Sequence, residues 1–375
     1  MTAVDEGHSA QVEQPRLLDL PDTVPELPRA GRGRIIALFV VGGVGLVIAV
    51  LTSAAIGQMQ IPVPEVIGAL CRRAELICGA DASRINGDAA VWEVRLPRVV
   101  LGVLVGASLA AAGAVMQGVF GNPLADPGVI GVSSGAALGA SLAIVLGLGA
   151  ASSFAIPAGA FVAGILTSFL VYSMARSSGR TEVVTLILTG VAVNAVAGAG
   201  LAYLTFAADT NQREQIVFWQ MGSLNGALWE QVRTVAPILL VGLIAALLLA
   251  PKLDLLSLGD DAARHLGIDI ERLRIIAIVV VSVLTAAAVA FAGIIGFVGL
   301  VIPHLIRMLV GPGHRVLIPA SAIGGALMLT VADMFARTAV PYAELPLGML
   351  TALVGGPFFF YLIRRSRDRA GGWAA

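Results

Sequence analysis

The chain has 375 residues, of which 57% are hydrophobic and 13% charged, about half the roughly 25% charged share of a soluble domain. A mean hydropathy of +0.90 excludes a soluble enzyme or a disordered scaffold and marks a polytopic membrane protein. The 24 basic and 24 acidic residues balance, which leaves no basic surface for counterion-driven binding to nucleic acid.

Residues 1–33 are polar and carry Pro15, Pro21, Pro25 and Pro28. This reads as a disordered tail, because no short apolar core follows a basic start as in a signal peptide. Apolar runs of spanning length then fall near 35–56, 96–120, 129–148, 154–174, 183–206, 234–250, 273–291, 294–310, 316–335 and 345–363. They predict an all-α membrane domain of about ten transmembrane helices over 34–365, followed by a short tail at 366–375. Arg29, Arg32 and Arg34 precede the first run, and Arg364, Arg365, Arg367 and Arg369 follow the last. By the positive-inside rule both termini are cytoplasmic. Spans two to five and seven to ten then form two four-helix blocks that start from opposite faces, the parity of an inverted repeat.

That topology puts the 57–92 loop outside the cytoplasm, yet Arg72, Arg73, Arg84, Arg95 and Arg98 lie in or beside it. Positive charge on that side calls for lipid headgroups or an acidic partner. The loop also holds both cysteines, Cys71 and Cys78. In a helix, residues seven apart are separated by about 10 Å along the axis, beyond disulfide reach. The favoured reading is an amphipathic helix over 64–78 lying on the membrane surface, with a disulfide as the alternative.

Gly102-x-x-x-Gly106, Gly131-x-x-x-Gly135 and Gly135-x-x-x-Gly139 are small-residue faces for close helix contact. Gly131-Val132-Ser133-Ser134-Gly135 also fits the nucleophile-elbow pattern, but that motif needs a strand–turn–helix context and here opens an apolar helix. The four histidines lie in separate segments without metal-ligand spacing. Within the spans the one clear ionisable group is Asp333, with Arg337 four residues on along the same helical face. Gln117 and Asn194 are polar without being ionisable. An ion-coupled carrier, which uses intramembrane carboxylates as a relay, is therefore weakly supported. Lys252 is the only lysine and follows Ala250-Pro251, so no Walker A loop exists here. In the cytoplasmic segment 252–274, Asp260 and Asp261 suit a helix N-terminus, Arg264 and His265 its C-terminus, and Gly267 the left-handed residue that ends it. Asp269 then caps a second short helix, giving either a rigid knob or a plain connector.

Arg95-Leu96-Pro97-Arg98, Gln117, the run from Asn122 through Gly128, and Gly131 through Gly135 resemble the first half of the FecCD-type permeases. Gly296 through His304 and Glu344-Leu345-Pro346-Leu347-Gly348 resemble the second half. That family comprises membrane subunits of ATP-driven importers for haem, ferric siderophores and cobalamin. The resemblance implies a homodimeric permease in the bacterial cell membrane, with no cofactor and no catalytic residues, fed by a binding protein and driven by separate ATPase subunits. It implies ATPase coupling at Gly259, Asp260, Asp261, Ala262, Ala263, Arg264, His265, Leu266 and Gly267, and binding-protein docking at Arg95, Arg98 and Arg337. A cytoplasmic gate corresponds to Glu182, Val183, Val184 and Thr185, although these depart from the small polar residues of that gate; Gln117 and Asn194 are further path candidates. Asn122 through Gly135 looks most like the haem permeases, with ferric-siderophore and cobalamin members as alternatives. His304 is then either a passing haem-iron ligand or a hydrogen-bonded histidine. An ion-coupled carrier and a membrane hydrolase remain the rivals from other classes. The resemblance does not cover the N-terminal tail or residues 71–86.

Overall fold

The computed structural model describes residues 31–57, 61–73, 85–177 and 180–369. The tail before residue 31, Cys78 and residues 370–375, on which the two tail assignments fall, lie outside the described residues. Helices α1 (Arg32–Ala55), α2 (Val63–Arg73) and α3 (Ile85–Ala89) lead through a π-helical stretch, Ala90–Arg95, into α4 (Leu96–Phe120). Then come α5 (Val132–Val145), α6 (Ala155–Ala175), a two-residue antiparallel ladder of β1 (Arg176–Ser177) with β2 (Arg180–Thr181), α7 (Val183–Ala207) and α8 (Thr210–Met221). The second half holds α9 (Trp229–Leu256), α10 (Asp260–His265), α11 (Ile270–Ala292), α12 (Val298–Val310), α13 (His314–Ala336) and α14 (Leu347–Arg369).

Among the described residues seven helices are long and apolar enough to cross a bilayer: α1, α4 with the turns before it, α6, α7, α9, α11 and α13. Three shorter apolar helices, α5, α12 and the 347–361 part of α14, take the other three expected positions. In the two proposed blocks, α4–α7 and α11–α14, the second helix is the short one in each. Each follows non-helical or 3-10 backbone through a residue of positive φ, Gly131 at 79° before α5 and Phe297 at 67° before α12. Irregular backbone at membrane depth survives only where protein or a cavity satisfies it. Here Asp126 accepts the Gly128 N–H at 2.7 Å ahead of α5, and the Ala292 carbonyl accepts from Ser223 N ahead of α12. The eighth span thus differs from the expected continuous helix over 294–310: residues 293–297 are non-helical and α12 begins at Val298.

Composition decides which helices sit inside. In α4 the sequence GASLAAAGAVMQG presents little but small side chains, and 83% of its apolar window is buried, against 72% in α11 and 6% in α1. Small residues let backbones approach, which is how apolar helices gain contact when lipid offers no hydrophobic drive. Gly106 of α4 lies on Gly325 of α13, so a Cβ on either would strike the other's backbone; Gly139 and Gly159 do the same for α5 and α6. By contrast α1 exposes Val40, Val41, Val44, Val47 and Ile48, a face suited to lipid.

Three expectations need correction. First, residues 74–78 of the expected surface helix lie outside the described residues, and Cys71 of α2 is disulfide-bonded, which is the alternative reading. The apolar face of α2 does not lie free on a membrane either: Val66 and Ala69 pack into a small core with Ala54, Ala55, Val91 and Leu96. Second, α8 stands where a loop was expected. Its start is legible as a capping box, with Asp209 accepting from Gln212 N and Gln212 accepting from Asp209 N. Third, Asp269 does cap a helix, accepting from Arg272 N at 3.0 Å, but that helix is the long α11 rather than a second short one.

Candidate functional site

The two ends of the bundle carry different chemistry. At one end the last turn of α1, the start of α4, the end of α13 and the segment before α14 meet. The π-helical stretch aims two arginines into that junction: Leu96 N–H reaches back five residues to the Val91 carbonyl, and Pro97 has no N–H to restore the α register. Arg95 Nη1 donates to the Ala54 and Ala55 carbonyls, both at 2.7 Å, closing off the C-terminus of α1. Arg98 donates to Asp333 from Nε and Nη2 at 2.9–3.1 Å. It also donates to Glu344, from Nη1 at 2.9 Å and Nη2 at 3.0 Å. Arg337 donates to Ile56 O and Ser53 O, and its Nε lies 3.4 Å from Asp333, the i,i+4 pair expected from the sequence. Burial pulls the Arg337 guanidinium below its ordinary pKa, and Asp333 opposes that shift.

All three arginines expected to face a partner are therefore brought together, but into the interior. Arg95 and Arg98 are buried, and the Arg337 side chain is 8% exposed. Their guanidinium groups already have carboxylate or carbonyl partners. The sequence reading missed Glu344 as a member of the cluster, although the residue stands in the motif Glu344-Leu345-Pro346.

Beside this cluster opens a cavity of about 810 Å³, lined by Asn211, Glu214, Trp219, Ser223, Phe291 and Glu344 among others. Helix α8 forms one wall, so the missed helix is what shapes it. Among the described residues no arginine or lysine lines the cavity.

At the opposite end α10 projects as a short helix on the 252–274 segment. Gly259 enters it at φ 100° and Gly267 leaves it at φ 81°, the left-handed terminator the sequence called for. Asp260 accepts from Arg274 Nη2 at 3.1 Å, tying α10 to the first turns of α11, and Ala263 is the buried anchor beneath it. Asp261, Ala262, Arg264, His265, Leu266 and Gly267 are left exposed on the surface. Nearby, buried His314 at the start of α13 has Nδ1 3.0 Å from Asp254 at the end of α9.

The remaining candidates do not converge. Gln117 is 2% exposed, donates to Leu300 O at 3.3 Å and accepts from Arg307 at 3.4 Å, so it ties α4 to α12 inside the protomer. Asn194 of α7 accepts from Ser134 Oγ at 2.5 Å and donates to Gly128 O at 3.4 Å, holding the turn before α5. Glu182 precedes α7 and accepts from Thr185 Oγ1 at 3.0 Å; Val184 is exposed and Val183 half-buried. Ser133 follows a 3-10 turn and Gly131, not a strand, so the nucleophile-elbow geometry is not formed. Among the described residues no three His, Cys, Asp or Glu side chains group as a metal site.

Residues 45–365 match the model of the FecCD transport family. The chain belongs to that family. It is 44% identical over 286 residues to the hemin transport system permease protein of Yersinia pestis, covering 75% of this chain and 85% of that one. It is 45% identical over 280 residues to the cobalamin import system permease protein of Halobacterium salinarum, covering 75% and 74%. A solved inward-facing structure described as a putative metal-chelate type ABC transporter superposes with a TM-score of 0.77 at 34% identity, over 88% of this chain and 99% of that one. This FecCD member is thus a multi-pass permease component of an ATP-driven importer, and its family works with ATPase and substrate-binding partners.

Proposed function

We propose that the chain forms, as a homodimer in a bacterial cell membrane, the path of an importer for haem. Similarity over three quarters of the chain does not separate haem from cobalamin, since the two relatives are 44% and 45% identical there. The reading of haem is carried by the resemblance of the segment Asn122 through Gly135 to the haem permeases. The domain bounds follow the same reading: a membrane domain over 34–365 between cytoplasmic tails, with 57–92 outside.

The α10 end is then cytoplasmic, and Gly259 through Gly267 is the surface that receives the ATPase. A short helix with an anchored base and an exposed tip suits a docking knob that moves as a unit. The arginine end is extracytoplasmic, and Arg95, Arg98 and Arg337 bind acidic side chains of the substrate-binding protein. Positive charge on the outer side and the convergence of all three arginines support that role. Glu182 through Thr185, at the mouth of α7, and Asn194 serve the cytoplasmic gate; Gln117 acts as an internal tie.

The test is reconstitution of the permease with its ATPase and binding protein in vesicles, offering hemin, a ferric hydroxamate siderophore and cobalamin in separate assays. ATP-dependent accumulation of hemin alone supports the proposal. Accumulation of either other chelate without hemin overturns the substrate and retains the importer. Uptake driven by an ion gradient with no ATPase present overturns both.

A further inference from the structure

Arg98 has two carboxylate partners of very different standing. Asp333 is 2% exposed, sits on a membrane-spanning helix and serves Arg337 as well. Glu344 is 29% exposed and sits in the non-helical segment just before α14. That segment carries Tyr342, 98% exposed at a positive φ of 61°, a conformation that a bulky side chain rarely holds. Backbone bonds hold the segment at its ends: Val340 pairs with Ala343, Leu345 N–H donates to Ala336 O, and Leu347 N–H, at the start of α14, donates to Gly222 O. Glu344 also forms part of the wall of the outer cavity.

We propose that Glu344 is an intramolecular stand-in for the binding protein, occupying Arg98 until an acidic side chain of the docked partner replaces it. This rests on the docking reading given above. The argument is one of charge accounting. Stripping a buried guanidinium of a partner is costly, so an arginine this enclosed does not wait unpaired for a ligand. Exchanging one carboxylate for another keeps Arg98 neutralised throughout. The exchange can take place only at Glu344, because displacing Asp333 would strand Arg337 too. Docking then covers Tyr342, an exposed aromatic of the kind that anchors interfaces. It also releases Glu344 from Arg98, so the cavity wall registers the arrival of the partner.

The test compares wild-type complex, Glu344→Gln, Glu344→Asp and Arg98→Ala, each with its ATPase in lipid nanodiscs. It measures affinity for the binding protein that the uptake assay has shown to be required, at low and at moderate salt. Removing the internal competitor should tighten docking by roughly tenfold in Glu344→Gln, within the range of interfacial charge coupling. Glu344→Asp, whose shorter reach weakens the hold on Arg98, should fall between it and wild type. Arg98→Ala should lose docking. Trp219 lines the same cavity, so its emission should shift on docking in wild type, and Glu344→Gln should show the shifted state without partner. If Arg98→Ala abolishes docking while neither Glu344 variant tightens it, the exchange is wrong and the docking surface stands. If Arg98→Ala leaves docking unchanged, the docking reading fails and the exchange with it. Should Glu344→Gln not assemble, the aspartate variant decides between the same outcomes.

Discussion

The arginine end and the α10 end, the two surfaces proposed for docking, are built on opposite plans. The arginine cluster is sunk into the junction of four segments, with Arg98 and Arg337 paired from within by Asp333 and Glu344 and Arg95 held by carbonyls. The α10 knob stands out, is terminated by its own glycines and rests on one buried alanine and one ion pair. The contrast teaches how a charge can be both structural and recruited. In a low-dielectric junction a cation is costly to strip of its partners, which is why the docking proposed there is an exchange. The exposed α10 tip needs no such release, so the docking proposed there draws on shape and backbone conformation.

The largest test of this contrast is Asp333→Ala. It leaves Arg337 without its acidic partner and Arg98 with Glu344 alone, in a site where Asp333 is 2% exposed. Removing one member of a buried charge network costs about 3–5 kcal/mol. The variant should show a marked loss of detergent-resistant, monodisperse protein and an earlier thermal unfolding transition. Unfolding within experimental error of wild type would mean that the cluster is not the internally balanced junction described.

Gly267→Val probes the other end with a smaller effect on stability. Gly267 has φ 81°, and a Cβ there would meet nothing within 4 Å. The cost is therefore backbone strain rather than collision, about 1–2 kcal/mol for a side chain in the left-handed region. Assembly in the membrane should survive, while ATPase activity stimulated by the loaded binding protein should drop sharply. Gly267→Asn, a residue that tolerates this conformation, should retain most of the stimulation. Equal loss in both variants would point to contact chemistry at residue 267 instead of backbone geometry.

What could be read from the sequence follows from how local each signal is. The long spans announce themselves because apolar length is a property of consecutive residues, and α10 does so because its acidic start, basic end and Gly267 lie within eight positions. The interruption before α12 was hidden because Gly293 through Phe297 is as apolar as a helix; the Ser223 N–H donating to Ala292 O and the positive φ of Gly293 and Phe297 show where the backbone departs. The inward turn of Arg95 and Arg98 was equally hidden. It depends on a π-helical stretch, and on Asp333 and Glu344, more than 230 residues away in sequence from Arg98. The capping box of α8, by contrast, was readable at Asp209 and Gln212 and was passed over within a polar interval.

The smallest effect is the sharpest check on the knob. Asp260 pairs with Arg274 at 3.1 Å, but its side chain is 42% exposed, so solvent screens the pair and it contributes no more than about 1 kcal/mol. Asp260 also sits in the first turn of α10, where a negative charge favours the helix by about 0.3–1 kcal/mol at low salt. Asp260→Ala should therefore move the unfolding transition slightly, and the shift should shrink as salt is raised. Because the pair is what orients α10 on α11, the same variant should weaken ATPase stimulation partially, and Asp260→Glu should restore most of it. A stability loss approaching that of Asp333→Ala would show that the knob is anchored as deeply as the arginine cluster, and the difference between the two ends would then lie in charge alone.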